Sequence, residues 1–283
     1  MLLRETAATV EVLVIRRNEQ LAFMGGMWVF PGGTVSPADA SDASLARITR
    51  ASQTRCAQFA DLSGVLLERR QCLGLTVAAF RETFEESGVL LATTTAGRHC
   101  STEVLARLQE QRRAISARPE LFWQMLRAED LMLEVDRLVY WAHWITPSIV
   151  ARRFDTRFFI AAVPDAQEAM IDSTETVDHA WMSPPALIEA AASGAMPVSQ
   201  PTLFNLMELR ASLREHGPLH GLLAGEAQRR VVPVLPKMIH EGPITMVLPW
   251  DPFYRNVVGE SVPEDLEYPT VVRELPSRMV QKR

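Results

Sequence analysis

Alternating hydrophobic and polar positions along the chain predict strands that are separated by helices and turns. Residues 9–16 form a β-branched run bounded by polar residues, which is typical of a buried strand. Residues 138–145 and 154–163 have the same character. Residues 21–24 are predicted to be a short strand, and Gly25 and Gly26 after them begin a loop.

Helical spacing is predicted in several segments between and after these strands. In residues 77–87, Phe80 and Phe84 lie one turn apart on the side that faces the core, and Thr76 is the predicted N-terminal cap. Residues 101–117 and 119–127 are predicted to form two helices. Further helices are predicted from Pro184 to about Ala192, and around the apolar positions Leu203, Leu206, Met207 and Leu213.

The order of these elements predicts a core at residues 1–196, interrupted by insertions at about 40–73 and 93–137. From residue 197 to 283 the chain is rich in proline, with short strands expected at 230–235 and 244–248. We expect this C-terminal extension to pack on the core, and its length would suit a homodimer contact.

Composition indicates a globular protein and excludes several classes of function. Hydrophobic residues make up 47% of the 283 positions and charged residues 22%. A net charge of −5 argues against nucleic acid as a partner, and the absence of an 18-residue apolar run argues against a membrane partner. Three cysteines fit neither a disulfide framework nor a metal motif, so a cytoplasmic location is expected.

The most informative segment is Arg81-Glu82-Thr83-Phe84-Glu85-Glu86-Ser87-Gly88. On a helix, Glu82, Glu85 and Glu86 share one face, where three like charges repel each other. Gly88 is suited to the left-handed residue that follows the last turn of a helix. A divalent cation would offset the repulsion, and hard oxygen ligands without nearby cysteine or histidine favour Mg²⁺ or Mn²⁺ over zinc.

This octet resembles the Nudix box of the Nudix hydrolases, G-x5-E-x7-R-E-U-x-E-E-x-G-U, in which U is apolar. Upstream of the octet, Phe30-Pro31-Gly32-Gly33 resembles the Pro-Gly-Gly turn of the family, and Asp39 stands where the family has glutamate. The family pattern places Arg-Glu at Arg47, whereas Arg81 follows 34 positions later. An insertion at this place, with similar strings at 145–147, 153–159 and 248–252, resembles the branch that contains the coenzyme A diphosphatases.

The resemblance implies an α/β fold: the Nudix α/β/α sandwich with a mixed sheet, elaborated by helical insertions and a C-terminal extension. It implies that Glu82 and Glu86 are the principal metal ligands, with Glu85 adding a further oxygen or binding the metal through water. Arg81 would be a fixed counter-charge that orients a carboxylate. Gly32 and Gly33 would let the backbone approach the metal helix closely.

A further acid and several arginines complete the predicted site. Glu175 lies six residues before Trp181, which resembles a family segment that supplies a ligand or general base. Glu168 and Asp172 are the nearby alternatives, and a solvated loop acid is the other interpretation. The predicted phosphate clamps are Arg152, Arg153 and Arg157. For Arg157 a structural ion pair with Asp155, on the same face of the strand, is an equal alternative. His143 and the tryptophans at 123, 141 and 144 are expected in the core.

The function implied is hydrolysis of a nucleoside diphosphate derivative by a Mg²⁺- or Mn²⁺-dependent diphosphatase, with coenzyme A or acyl-coenzyme A as the favoured substrate. A second hypothesis keeps the reaction and changes the substrate to ADP-ribose, a dinucleotide cofactor or a dinucleoside polyphosphate. A third hypothesis is a nucleotide-sensing module without catalysis. Loss of acidic residues from the box would mark that third class, and Glu82, Glu85 and Glu86 are all present.

Overall fold

The protein, described here from a computed structural model, is an α/β sandwich. The structure describes residues 1–49, 59–171, 176–240 and 243–280. The strands are β1 Leu2–Glu5, β2 Val10–Arg17, β3 Trp28–Val29, β4 Ala92–Thr94, β5 Leu131–Leu133, β6 Val139–Ile145, β7 Asp155–Ala162, β8 Thr176–Met182, β9 Pro233–Val234, β10 Lys237–Ile239, β11 Thr245–Val247 and β12 Arg278–Val280. The helices are α1 Asp42–Leu45, α2 Arg69–Ser87, α3 Thr102–Glu110, α4 Arg112–Ala117, α5 Glu120–Ala128, α6 Pro184–Ser193, α7 Gln200–His216, α8 Leu219–Glu226 and α9 Thr270–Arg273.

The central sheet is mixed and has seven strands. At Ile15, β2 pairs with β3 on one edge and with β8 on the other. At Val12 the partners are β1 and β8, so β1 and β3 share one edge of β2. The sheet continues through β7, β6 and β9, with parallel pairing between β1 and β7 and between β6 and β9. This arrangement places β3 beside the beginning of β7.

Helices cover both faces of this sheet, because side chains along each strand alternate between the faces. Leu13 and Ile15 pack in one apolar core with α2 and with α3, α4 and α5 of the second insertion. Val12 and Val14 face a second core formed with α6, α7 and α8. The predicted α/β/α sandwich with a mixed sheet is confirmed, and Phe80 and Phe84 are buried as expected.

Three local predictions differ from the structure. Residues 21–24 belong to a turn, in which Met24 has a φ of +55°, and the strand that follows is β3. Thr76 does not begin a helix, because α2 starts at Arg69 and the Thr76 hydroxyl donates to the Cys72 carbonyl inside it. The predicted helix over 101–117 is divided at Gln111 into α3 and α4.

The C-terminal extension contributes to the main sheet through β9 and to the second core through α7 and α8. It also has a small sheet of its own, β10-β11-β12, over a third apolar cluster that includes Tyr254 and Val257. The boundary at residues 196 and 197 stays a prediction. None of the helices in the described ranges is long and apolar enough to cross a bilayer.

Candidate active site

The last turn of α2 carries the three predicted glutamates, and its end is formed as the sequence predicts. Gly88 follows the helix with a φ of +72°, and its N–H donates to the Phe84 carbonyl at 2.8 Å. Glycine adopts this left-handed conformation without steric cost. The last turn of α2 therefore has a defined backbone conformation, and the side chains at positions 82, 85 and 86 project from it.

Arg81 is buried beneath this turn and joins it to the upstream half of the box. Its Nε and Nη2 donate to the two carboxylate oxygens of Asp39 at 2.8 and 2.9 Å. Its Nη1 donates to Glu85 at 2.8 Å and to Glu82 at 3.0 Å, and Nη2 also reaches the Thr34 carbonyl at 2.9 Å. All of these bonds are charge-assisted or buried, so one guanidinium fixes two carboxylates of the turn.

Asp39 reaches Arg81 because the loop before it is itself well defined. Asp39 is fully buried in the short 3-10 turn Pro37–Ala40, and it accepts the Ser36 N–H at 2.7 Å. A Cβ added to Gly74 of α2 would lie 3.0 Å from the Ala40 Cβ, so this turn packs closely on the helix. The insertion after Asp39 therefore leaves the box geometrically continuous, with Asp39 and Arg81 adjacent in space.

The Pro-Gly-Gly turn lies directly against the glutamates. The Gly32 N–H donates to Glu86 Oε2 at 2.7 Å. An added Cβ on Gly33 would lie 2.3 Å from Glu82 Oε2, closer than non-bonded atoms approach. The structure thus brings Gly32, Gly33, Glu82 and Glu86 together, and only glycine permits this approach at position 33.

The electrostatics of the turn follow from burial and like charge. Burial raises the pKa of Glu82 to about 7; the charge of Arg81 lowers it and that of Glu85 raises it further. Burial alone would lower the pKa of Arg81, but hydrogen bonds and charge from Asp39, Glu82 and Glu85 outweigh it and raise that pKa. Arg81 therefore remains a permanent cation.

These residues fit a divalent cation, which Nudix hydrolases use. The carboxylate oxygens of Glu82 and Glu86 lie against the Pro-Gly-Gly turn. A side chain at Gly33 would occupy the space that the Glu82 carboxylate takes. In the ranges that the structure describes, no three acidic, histidine or cysteine side chains form a metal-ligand group by themselves. Magnesium commonly uses one or two carboxylates together with waters and substrate phosphates, so two glutamates at this turn are sufficient protein ligands.

Gly33→Ala should separate metal binding from stability. The new methyl group would displace the Glu82 carboxylate, which is the end of a flexible side chain, so the melting temperature should change little. Affinity for Mn²⁺ should fall about 10- to 100-fold, the range typical of disturbed support around a metal ligand. Calorimetric Mn²⁺ titration and thermal unfolding measure both quantities. Native Mn²⁺ affinity in this variant would contradict the placement of Glu82 at the metal.

The predicted phosphate-binding arginines lie at the end of the sheet that carries the Pro-Gly-Gly turn, which is called the glycine turn below. The Phe30 and Phe158 rings are in edge-to-face contact at 6.3 Å, and the Phe23 and Phe154 rings lie 4.8 Å apart. The Phe30 contact places β7 beside the Pro-Gly-Gly turn, and the Phe23 contact places Phe154, which follows Arg152 and Arg153, beside the turn over residues 22–26.

Each of these arginines has a different environment. Arg152 is exposed and stacks over the Phe23 and Phe154 rings at 5.1 Å each. Arg153 donates to Glu260 at 2.7 Å and to the Thr146 carbonyl at 3.0 Å. Arg157 is almost fully buried and donates to Asp155 at 2.8 Å, which is the structural ion pair that the strand pattern allowed.

Two further predictions concern residues around this site. His143 is buried on β6 with Nε2 2.5 Å from Asp155 Oδ1, and the three core tryptophans are buried as expected. Glu168 is exposed on the segment after β7. Glu175 and Asp172 lie outside the described residues, so their predicted roles stay predictions.

The fold and this site together define a Nudix hydrolase, and comparisons with known proteins agree. The family model described as the NUDT19 Nudix domain matches residues 3–209. The chain therefore belongs to the NUDT19 Nudix domain family and is a Nudix pyrophosphohydrolase.

Relatives in other organisms show the extent of the similarity. The chain is 27% identical over 275 residues to acyl-coenzyme A diphosphatase NUDT19 of Xenopus laevis, covering 86% of this chain and 71% of that protein. It is 30% identical over 232 residues to the protein of the same name from Gallus gallus, covering 70% and 61%. A crystal structure of a Nudix hydrolase from Alicyclobacillus acidocaldarius is 28% identical with a TM-score of 0.56, covering 74% of this chain and 88% of that one.

Proposed function

We propose that the protein hydrolyses the diphosphate of coenzyme A or acyl-coenzyme A, with Mg²⁺ or Mn²⁺ held by Glu82 and Glu86. The observation that carries this proposal is the assembled site, in which Asp39, Arg81 and the glutamates meet at the glycine turn. Relatives named acyl-coenzyme A diphosphatase support the choice of substrate. Carboxylate oxygens as the donor set support Mg²⁺ or Mn²⁺.

The reaction is attack of water on one phosphorus of the diphosphate, which breaks a P–O–P bond. With coenzyme A the products are adenosine 3′,5′-bisphosphate and 4′-phosphopantetheine. When bound, a divalent cation neutralises phosphoryl oxygens and lowers the pKa of coordinated water. Arg81 holds Glu82 and Glu85 in place and does not donate a proton, since its pKa is raised. We assign proton acceptance from the attacking water to Glu175, with Glu168 and Asp172 as the alternatives.

A substrate panel tests this function. The purified protein would be incubated with coenzyme A, an acyl-coenzyme A, ADP-ribose, a dinucleotide cofactor and a dinucleoside polyphosphate, each with Mg²⁺ or Mn²⁺, and the products identified by mass. We expect the highest kcat/KM for coenzyme A or its acyl derivative. A higher kcat/KM for ADP-ribose or the dinucleotides would replace the proposed substrate while keeping the reaction.

Recognition of the 3′-phosphate is the second part of the proposal, because ADP-ribose lacks that group. Arg153 is half-exposed and is held by Glu260 beside an open pocket of about 420 Å³, which Asp61 and Asp155 also line. A phosphate dianion can replace the Glu260 carboxylate in this contact. We therefore assign the 3′-phosphate to Arg153 with Arg152 next to it, whereas Arg157 is committed to Asp155.

Coenzyme A should be a better substrate than dephospho-coenzyme A. A charge-assisted contact contributes about 1.5–3 kcal/mol, which corresponds to roughly 10- to 100-fold in kcat/KM. Arg153→Ala should lose this preference and keep its rate on the dephospho compound. Glu260→Gln is the matched variant, and it should retain the preference because Arg153 remains. Equal kcat/KM of the native protein on both compounds would contradict recognition of the 3′-phosphate.

A further inference from the structure

One buried arginine of the second helical insertion hydrogen-bonds to the glutamate-bearing turn of α2. Arg112 of α4 is 5% exposed, and its Nη2 and Nε donate to the Glu85 carbonyl at 2.7 and 3.2 Å. Its Nη1 donates to the Met170 carbonyl at 2.6 Å. One guanidinium thus links the last turn of α2 to the segment that follows β7.

The same two segments are joined by further hydrogen bonds. The Met170 N–H donates to the Ser87 carbonyl at 2.7 Å. The Gln167 side chain accepts the Leu90 N–H and donates to the Leu90 carbonyl, each at 2.8 Å. Residues 167–170 are therefore fixed against the end of α2, and the chain continues from them towards Glu175.

Gly88 provides the space for this contact. An added Cβ at Gly88 would lie 3.1 Å from Arg112 Nη1, tighter than ordinary packing. The backbone at Gly88 also has a positive φ, so two independent requirements favour glycine there. A guanidinium at this end of a helix interacts favourably with the exposed carbonyls and with the helix dipole.

We propose that Arg112 is a positioning residue for the metal site. It fixes the turn that carries Glu85 and Glu86 against residues 167–170. This role rests on the proposed function of that turn. Glu85 connects the two buried arginines, since its carbonyl accepts a hydrogen bond from Arg112 while its carboxylate accepts one from Arg81. Through this arginine the second insertion supports the metal site.

Arg112→Met tests this role because it removes the guanidinium and introduces no new charge. Mn²⁺ binding would be measured by electron paramagnetic resonance in the absence of substrate, and kcat and KM would then be measured with coenzyme A. We expect the Kd for Mn²⁺ to rise about 10- to 100-fold and kcat to fall within a similar range, as for other residues that orient metal ligands. KM should change much less. Arg112→Lys should recover part of the loss, because an ammonium can donate to the same carbonyls.

Arg107→Met is the matched control from the same insertion. Arg107 is exposed and pairs with Glu129 at 2.9 Å, so its loss should leave Mn²⁺ affinity and kcat unchanged. A folded Arg112→Met with native Mn²⁺ affinity and native kcat would overturn the proposal. If Arg112→Met does not fold, Gln167→Met takes its place, and native values in that variant would equally overturn it. Failure of the native protein to bind Mn²⁺ and Mg²⁺ alike would refute the proposed function itself.

Discussion

Glu86→Gln should leave the fold intact and remove nearly all turnover of coenzyme A. The amide oxygen can still accept the Gly32 N–H, which Glu86 accepts at 2.7 Å, but it supplies no anionic ligand to a metal. A bound metal supplies several kcal/mol of transition-state stabilisation, so kcat should fall on the order of 1,000-fold. Relief of like-charge repulsion should raise the melting temperature of the metal-free protein slightly.

Glu110→Gln is the control for this variant, because it makes the same chemical change at an exposed position on α3. Its kcat and its melting temperature should match those of the native protein. Native kcat of Glu86→Gln at saturating Mg²⁺ would remove Glu86 from the metal site.

Asp39→Asn should have the largest effect on stability. Asp39 is fully buried and forms two hydrogen bonds with Arg81, whose side chain is 3% exposed. Loss of this charge leaves a buried guanidinium with one anion fewer, and breaking a buried pair costs about 3–5 kcal/mol. The melting temperature should fall on the order of 10 °C for a chain of this size. The activity that remains should also fall, since Arg81 orients Glu82 and Glu85.

The control is Asp42→Asn, three positions further along the chain, at the start of α1. Asp42 pairs with Arg70 at 2.6 Å, but these side chains are 90% and 59% exposed. Surface pairs contribute little to stability, so this variant should unfold close to the native temperature. Equal melting temperatures for Asp39→Asn and the native protein would contradict a structural role for the Asp39–Arg81 pair.

The glutamate-bearing turn could be predicted from sequence because its signals are local. The spacing of Glu82, Glu85 and Glu86 fixes them on one helical face, and Gly88 marks the end of the helix. The contact between Asp39 and Arg81 could not be predicted in this way, because the sequence of the inserted residues does not show that the two ends of the insertion lie close together. Only the resemblance to a split Nudix box indicated it, and the geometry of the 3-10 turn then explains how the shorter aspartate reaches Arg81.

The wrong predictions have local physical causes. Residues 21–24 are apolar enough for a strand, but the chain turns back so tightly that a Cβ on Gly25 would lie 2.6 Å from the Glu19 carbonyl oxygen. Thr76 is typical of an N-terminal cap, yet its hydroxyl bonds to the Cys72 carbonyl within the helix. Backbone approach and side-chain bonding of this kind cannot be recognised from hydrophobic periodicity.

Arg112 shows why the support of the site could not be predicted. It is one of many arginines in the insertion, and neither its spacing nor its neighbours distinguish it from Arg107 or Arg113. Its role follows from burial and from two backbone carbonyls that lie far apart in sequence. Every residue has a backbone carbonyl, so the residue type at the accepting position does not reveal such a contact.

Product analysis with coenzyme A tests the central claim most directly. The purified protein would be freed of metal with a chelator, divided, and incubated with coenzyme A in the presence or absence of Mg²⁺ or Mn²⁺, with Glu86→Gln alongside. The account predicts adenosine 3′,5′-bisphosphate and 4′-phosphopantetheine in equal amounts, only with metal, and almost none from Glu86→Gln. Intact coenzyme A in every sample, or the same cleavage without metal, would contradict it.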